Sequence, residues 1–380
     1  MSRQLSPASF EEARAALSQA AGDGHSVRIQ GAGTKRGWTP APADAELEIR
    51  TESLDRIVEH NAGDLTAVVE AGVPLARAQR QFASAGQMLA LDPFLGPEHR
   101  ATVGGILASG DSGPLRHRYG AARDLILGMT VALSDGTISR SGGKVIKNVA
   151  GYDLGKLFCG SFGTLGLILS VNVRLHPLPV ATATALGVSA DPDQLAAGAR
   201  ALAAAPMELE ALDVAWRDGR GGILAQVGGV QARRRAETVA TAMRAAGLEC
   251  VETTDDDADL WARQRAGQRS PNGALVRVGA RPSALAQVLR AAGPCSATIV
   301  GRVSLGHSYV ELEPGAVPEL LRRLPPRSVY TVLDAPTGTL PEIQPGGPDP
   351  PDAALALMRR VKARFDPAGV CNPGAFVGGI

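Results

Sequence analysis

Apolar positions along this chain keep two rhythms, and the switches between them predict its elements. FEEARAALSQAA spaces its apolar residues as a helix does, and Ser9 with Glu12 fits a capping box, so a short helix opens the chain. Ser26–Gln30 reads as a strand, and Glu46–Ile49 and Leu65–Glu70 (LTAVVE) as two more. Pro74–Ala85 has one apolar stripe and ends at Gly86, a residue suited to close a helix. Gly128–Leu133 and Thr137–Arg140 flank Ser134-Asp135-Gly136, a hairpin signal. Leu165–Leu175 is a long apolar strand stopped by Pro177. Residues 1–179 therefore read as one α+β unit.

The pattern changes beyond residue 180. Ala181–Ser189 reads as a strand, Gln194–Ala205 as a helix, Gly222–Gly228 as a strand, Ala232–Ala246 as a helix and Glu249–Thr253 as a strand. A second cycle follows: strand Ala274–Val278, helix Ser283–Ala292, strands Ala297–Val303 and Ser308–Glu313, helix Val317–Arg323 and strand Val329–Asp334. Two tandem cycles of this kind predict an antiparallel sheet backed by helices, a split βαβ arrangement used twice, over 180–334. Residues 335–352, APTGTLPEIQPGGPDPPD, read as a proline- and glycine-rich linker. A last helix at Ala353–Arg364 and the segment FDPAGVCNPG complete 353–380.

Glycine is concentrated in two stretches of the first unit. VRIQGAGTKRG at Val27–Gly37 is a strand that breaks into a glycine loop, and TVGGILASGDSG occupies Thr102–Gly113. Glycine lets backbone N–H groups approach an anion closely, having no Cβ in the way. Two such loops suggest a nucleotide cofactor whose pyrophosphate is gripped from two sides, the alternative for each being an ordinary turn. Neither has the spacing of an ATP-hydrolysing loop, and Arg36 stands where the third glycine of GxGxxG belongs. Lys35 and Arg36 add charge to that loop or are solvated cations.

Composition narrows the partners. The 380 residues have a formal net charge of +1 and only 4% aromatics, which gives no electrostatic or stacking case for nucleic acid. No apolar run approaches a membrane span, and MSRQLSPASFEEARAAL has no signal-peptide core. Cys159, Cys250, Cys295 and Cys371 lack metal-ligand or CxxC spacing, so disulfides, zinc and iron–sulfur clusters are not expected and a reducing cytoplasm is.

The order of IQGAGTK, EAGVPLARAQRQFASAGQMLALDP, the stretch ATVGGILASGDSG to ALSDGTI, GGKVIKNVAGYDLGKLFCGSFGTLGLI and RFDPAGVCNPG resembles the FAD-linked oxidase family of vanillyl-alcohol-oxidase type. Within that family it is most similar to the E-subunit branch of bacterial glycolate oxidase. The likeness is continuous over 27–179 and returns at 365–374, with KNVAGYDL and GSFGTLG its most specific runs. It implies a PCMH-type FAD-binding domain of two α/β subdomains, then a ferredoxin-like antiparallel-sheet domain toward which the flavin faces. By the same resemblance Gly31, Ala32, Gly33, Thr34 and Lys35 form the first pyrophosphate loop. Thr102, Gly104, Gly105 and Ser109 form the second segment, and Pro93 runs beside the cofactor. Arg123 and Asp124 match the RD step before the hairpin, Gly163, Gly166 and Ile168 a strand against the adenine end, and Asn372 the residue that reaches back toward the flavin. A Cβ branch at Gly104 or Gly105 is then expected to obstruct the pyrophosphate.

Members of the family that attach FAD covalently use His or Cys beside the flavin. Gln30–Pro40 contains neither, and His117 reads as a surface residue, so non-covalent FAD is expected. Catalytic relatives carry an HxGDGNxH-type metal motif, whereas here only His307 of GHSYVE remains, so no metal is expected. His307 is a candidate general base or a structural histidine. Arg263 and Arg265 of DLWARQRAG are candidate carboxylate holders or helix-surface arginines. Three functions stay open: a complete FAD-dependent 2-hydroxy-acid dehydrogenase, an FAD-binding subunit working with the catalytic D flavoprotein and iron–sulfur F subunit, and an FAD-free structural subunit. The missing metal motif favours the second, with membrane contact only through its partners.

Overall fold

A computed structural model describes residues 3–39, 45–144, 154–270, 273–336 and 350–380. Most of the KNVAGYDL run and most of the 335–352 linker lie outside these residues. The chain divides into two units: Met1–Ser112, Gly120–Leu178 and Pro348–Ile380 form one, Gly113–Tyr119 and Pro179–Gly347 the other.

The first unit begins with β1 (Arg3–Leu5), α1 (Phe10–Asp23), β2 (Val27–Gln30) and β3 (Leu47–Arg50). The three strands form a parallel sheet in the order β1-β3-β2. Ser9 caps α1 by accepting the Glu12 amide at 3.1 Å, while Glu12 Oε2 accepts from the Ala8 amide at 2.9 Å. Leu17 of α1 and Val27 and Ile49 of the sheet are fully buried in one core with Leu169 and Cys371.

Next come β4 (Ile57–Asn61), β5 (Thr66–Glu70), α2 (Leu75–Ala83), β6 (Gln87–Met88) and α3 (Val103–Ser109), and then α4 (Arg116–Tyr119), which belongs to the second unit. They are followed by β7 (Ile126–Ala132), β8 (Ile138–Gly142), α5 (Gly155–Phe158), β9 (Leu167–Arg174) and β10 (His176–Pro177). An antiparallel sheet of order β4-β5-β9-β7-β8 has β9 at its centre, which explains that strand's near-continuous apolar sequence. The stretch expected as a second glycine loop is instead largely the helix α3. Adjacent glycines are poor helix formers, but Thr102 caps this one and buried Val103, Ile106 and Leu107 hold it.

The second unit runs β11 (Thr182–Ser189), α6 (Pro192–Ala204), β12 (Leu209–Arg217), β13 (Arg220–Gly228), α7 (Ala232–Ala245) and β14 (Glu249–Thr254). After α8 (Ala258–Ala266) the same succession returns as β15 (Ala274–Gly279), α9 (Leu285–Ala292), β16 (Thr298–Arg302), β17 (His307–Leu312), α10 (Val317–Arg323) and β18 (Val329–Asp334). The eight strands form one antiparallel sheet of order β14-β11-β13-β12-β16-β17-β15-β18. Each half is a ferredoxin-like βαββαβ, and the halves join through the second strand of each, β12 beside β16. A single core beneath the sheet includes Leu212, Val214, Ile223, Val276, Leu289, Ile299 and Val310. The chain ends with α11 (Asp352–Phe365), which belongs to the first unit. Among the described residues no helix is long and apolar enough to cross a membrane.

Candidate functional site

The first unit opens into a cleft at the end of β2. One wall is the loop Gly31–Lys35, a second is the start of α3, and a third is Phe162–Ile168, with Asn372 beside it. The first two walls touch: a Cβ on Gly31 would stand 2.1 Å from Thr102 Oγ1, so only glycine lets the loop settle against the capped helix.

Backbone amides distinguish these walls. At the start of α3, Val103 donates to Val73 O at 2.9 Å, Gly104 to Ala71 O at 2.8 Å and Gly105 to Thr102 Oγ1 at 3.2 Å. In the first loop, by contrast, no hydrogen bond among the described residues occupies the amides of Gly31, Ala32, Gly33 or Thr34. Successive unsatisfied N–H groups in a glycine turn suit the oxygens of an anion. Gly104 has a packing task instead: its Cβ would lie 2.6 Å from Ala71 Cβ and 2.9 Å from Ala71 O. The expectation that a side chain at Gly104 meets a pyrophosphate is therefore corrected, since protein stands there first. Gly105 is more open, its nearest obstacle being Thr102 Oγ1 at 3.1 Å.

The cleft's charges are already matched in part. Lys35 Nζ lies 3.2 Å from Asp111 Oδ2, with side chains 8% and 1% exposed, and 5.9 Å from the Trp38 ring centroid. Arg28 pairs with buried Glu48 at 3.7 Å. Arg36 also lines the cleft and is exposed, with no ionic partner among the described residues. Asp111 was not anticipated from sequence, although a lysine that must be buried calls for a nearby carboxylate.

Most of the anticipated cofactor residues meet at this cleft: Gly31, Ala32, Gly33, Thr34, Lys35, Thr102, Gly104, Gly105, Ser109, Gly163, Gly166, Ile168 and Asn372 all line it. Pro93, Arg123 and Asp124 do not. Pro93 is buried in the stretch before Gly96, and that stretch reaches the loop at Thr34, 2.8 Å from where a Gly96 Cβ would lie. Arg123 and Asp124 are exposed on a short 3₁₀ turn, paired at 3.8 Å, and Asp124 Oδ2 accepts the Ala121 amide at 2.8 Å. Asp124 thereby caps the turn that leads into β7.

In the second unit His307 begins β17, half-buried, opposite Gly279 and Arg302. Burial first, then the charges of Arg116, Arg277 and Arg302, lower its pKa from 6.5 to about 4, so the imidazole is neutral near pH 7. Arg302 and Asp213 pair at 3.3 Å across the β16–β12 junction, 1% and 0% exposed, and Arg302 stacks over Tyr309 at 5.5 Å. Gln264 of α8 donates to Asp213 Oδ2 at 3.0 Å. Burial pushes the Asp213 carboxyl up to about 6, against the opposing effects of Arg302, Gln264 and Arg265. Arg265 is thus near this group, whereas Arg263 is exposed, with no side-chain partner among the described residues. His117 is half-buried rather than at the surface, its Nδ1 2.7 Å from Ser304 Oγ, because Gly113–Tyr119 belongs to this unit. The burial of Asp213 and Arg302 escaped sequence reading because their partnership depends on strand register between the two repeats.

Comparisons with known proteins agree on the cofactor domain. The family description "FAD binding domain" matches residues 3–142, and "FAD linked oxidases, C-terminal domain" matches 351–376. The glycolate oxidase subunit GlcE of Escherichia coli is 36% identical over 167 residues, 44% of this chain and 47% of that protein. The FAD-linked oxidoreductase MT2338 of Mycobacterium tuberculosis is 27% identical, covering 98% of this chain and 90% of its own. D-lactate dehydrogenase of Archaeoglobus fulgidus is 35% identical over 46% of this chain and 38% of that protein. This chain thus spans about half, or less, of the length of the more identical relatives. A solved alkyldihydroxyacetonephosphate synthase shares the fold with a TM-score of 0.71 at 14% identity, covering 97% of this chain and 76% of its own. The chain is an α+β flavoprotein that carries the FAD binding domain and the C-terminal segment of the FAD-linked oxidases, and FAD is its cofactor.

Proposed function

We propose that the first unit's cleft holds FAD non-covalently, and that the chain serves as the FAD-binding subunit of a glycolate-oxidase-type complex. The observation that carries the placement is the run of open amides from Gly31 to Thr34, beside helix amides that are already occupied. In this reading Gly31–Thr34 hold the pyrophosphate, Thr102 and Ser109 shape the cleft beside them, and Gly163, Gly166 and Ile168 line a further wall. Ser109 Oγ donates to Gly105 O at 2.9 Å, which supports a shaping role for it. When bound, the flavin supplies a two-electron acceptor for oxidation of an alcohol. The similarity to the glycolate oxidase subunits GlcE and GlcD supports glycolate or a similar 2-hydroxy acid as the complex's substrate and a catalytic D flavoprotein as a partner, and the family resemblance adds an iron–sulfur F chain.

A second reading, a dehydrogenase active on its own, is favoured by one observation in the second unit. His307 is neutral among Arg116, Arg277 and Arg302, which is the electrostatic setting a carboxylate substrate needs. Its imidazole would accept the proton that the substrate hydroxyl releases on oxidation. An anaerobic absorbance spectrum of the chain with FAD, before and after glycolate or D-lactate, separates the two. Bound flavin that persists supports the subunit role; bleaching supports the dehydrogenase and overturns it. A protein that retains no flavin overturns both.

A further inference from the structure

Asn372 lies in the C-terminal segment, far in sequence from the glycine loop, yet its side chain is bonded to the strand that leads into that loop. Val27 donates to Val370 O and Asn372 N donates to Val27 O, each at 2.8 Å, so the segment runs as a parallel partner of β2. One step further along, the side chain takes over from the backbone. Asn372 Oδ1 accepts the Ile29 amide at 2.6 Å, and Nδ2 donates to Ile29 O at 3.2 Å. The carboxamide thereby stands in for the next peptide unit of the ladder.

The same Nδ2 donates to Phe162 O at 2.6 Å, on the adjoining Phe162–Ile168 wall of the cleft. A carboxamide nitrogen has two N–H groups, and both are thus used by backbone carbonyls, leaving none for a phosphate oxygen. Gly163 makes the approach possible, since its Cβ would lie 2.7 Å from Nδ2. From α11, Lys362 Nζ donates to Thr164 O at 2.7 Å, Cys371 O at 2.8 Å and Asp366 Oδ2 at 2.6 Å, which fixes the segment to the same wall.

We propose that Asn372 is a positioning residue of the FAD cleft: it contacts no cofactor atom through its amide nitrogen, but ties β2 to Phe162 and so fixes the Gly31–Thr34 loop relative to the Phe162–Ile168 wall. The inference rests on the reading that this cleft holds the pyrophosphate. It implies coupling in both directions, with bound FAD stabilising the docked C-terminal segment and the docked segment strengthening FAD binding.

The test uses the full chain, stripped of flavin and titrated with FAD, as wild type, Asn372→Gly and Asn372→Asp. Both replacements tolerate the φ of 40° at this position, so backbone strain is not the variable. Asn372→Asp keeps the acceptor for Ile29 and loses both donors; it decides the matter if the glycine variant does not fold. The expected result is a Kd for FAD raised at least about tenfold, as lost hydrogen bonds of ordinary strength predict. The rise in Tm produced by a fixed FAD concentration should shrink with it, because that rise reports Kd. A merely structural role would lower Tm equally with and without FAD and leave Kd unchanged, and that outcome overturns the proposal. Hydrogen exchange separates this failure from failure of the cleft reading. FAD that binds wild type without protecting the Gly31–Thr34 amides refutes the cleft itself; protection there together with an unchanged Kd in the folded variants refutes only the role of Asn372.

Discussion

Acidification is the perturbation that tests the electrostatics of the second unit. His307 titrates at about 4 in the folded chain against 6.5 ordinarily, first because it is buried and then because Arg116, Arg277 and Arg302 oppose a further positive charge. Between those two values the unfolded chain takes up a proton that the folded chain refuses. The stability contributed by the neutral imidazole is therefore complete above about pH 6.5 and is lost as the pH falls toward 4. The interval corresponds to about 3 kcal/mol, at about 1.36 kcal/mol per pH unit. Urea unfolding of wild type and His307→Gln near pH 7 and near pH 4.5 measures it, and wild type should lose about 2–3 kcal/mol more than the variant on acidification. Direct titration of the imidazole by NMR, assigned with the same variant, should give a midpoint well under the ordinary one. A carboxylate bound among the arginines would offset their field, so adding a 2-hydroxy acid should move that midpoint upward. An imidazole that titrates near 6.5, or an equal acid loss in both proteins, refutes the reasoning.

Two further outcomes are expected in the first unit. Asp111→Asn removes the carboxylate 3.2 Å from a nearly buried Lys35, which should cost about 3–5 kcal/mol in urea unfolding, with part of the loss recovered in a Lys35→Met, Asp111→Asn double variant; strictly additive losses would disprove the coupling. Gly104→Ala should destabilise the flavin-free chain by about 1–3 kcal/mol through overpacking against Ala71, read as a lowered thermal midpoint, and Gly105→Ala by less; equal midpoints for wild type and Gly104→Ala would show that Ala71 yields.

Much of the fold was legible because its strongest signals are local. The Ser9 cap, the turn at Ser134-Asp135-Gly136 and the apolar run of β9 each act within a few residues. The second βαββαβ cycle likewise follows in full from alternating apolar rhythms, and the first in all but one strand. The strand β12 was missed because Leu209, Leu212 and Trp216 are spaced as a helix face as well as lying in an extended run. Short β1 and β4 were missed too: RQL is three residues long and outward-facing, and IVEHN is a partly exposed edge strand. At the cleft, the residues of the first loop were legible as a glycine turn after a strand, whereas Asp111 and the bonds of Asn372 depend on partners distant in sequence.

The two glycine stretches show what composition cannot resolve. Both offer small residues and backbone close to the surface of one cleft, and both read from sequence as phosphate loops. Their difference is the fate of their N–H groups. Gly104 and Val103 donate to Ala71 O and Val73 O, carbonyls that follow β5, and Gly105 is taken by its own cap. The Gly31–Thr34 turn follows a short parallel strand and meets no such carbonyl, because its neighbour on one side is the Thr102 side chain, in contact with Gly31. An anion site requires donors that the fold has not already satisfied. Whether a glycine amide is satisfied is decided by the strand that passes beside it, so the same residues serve as a packing surface in one stretch and as an anion cradle in the other.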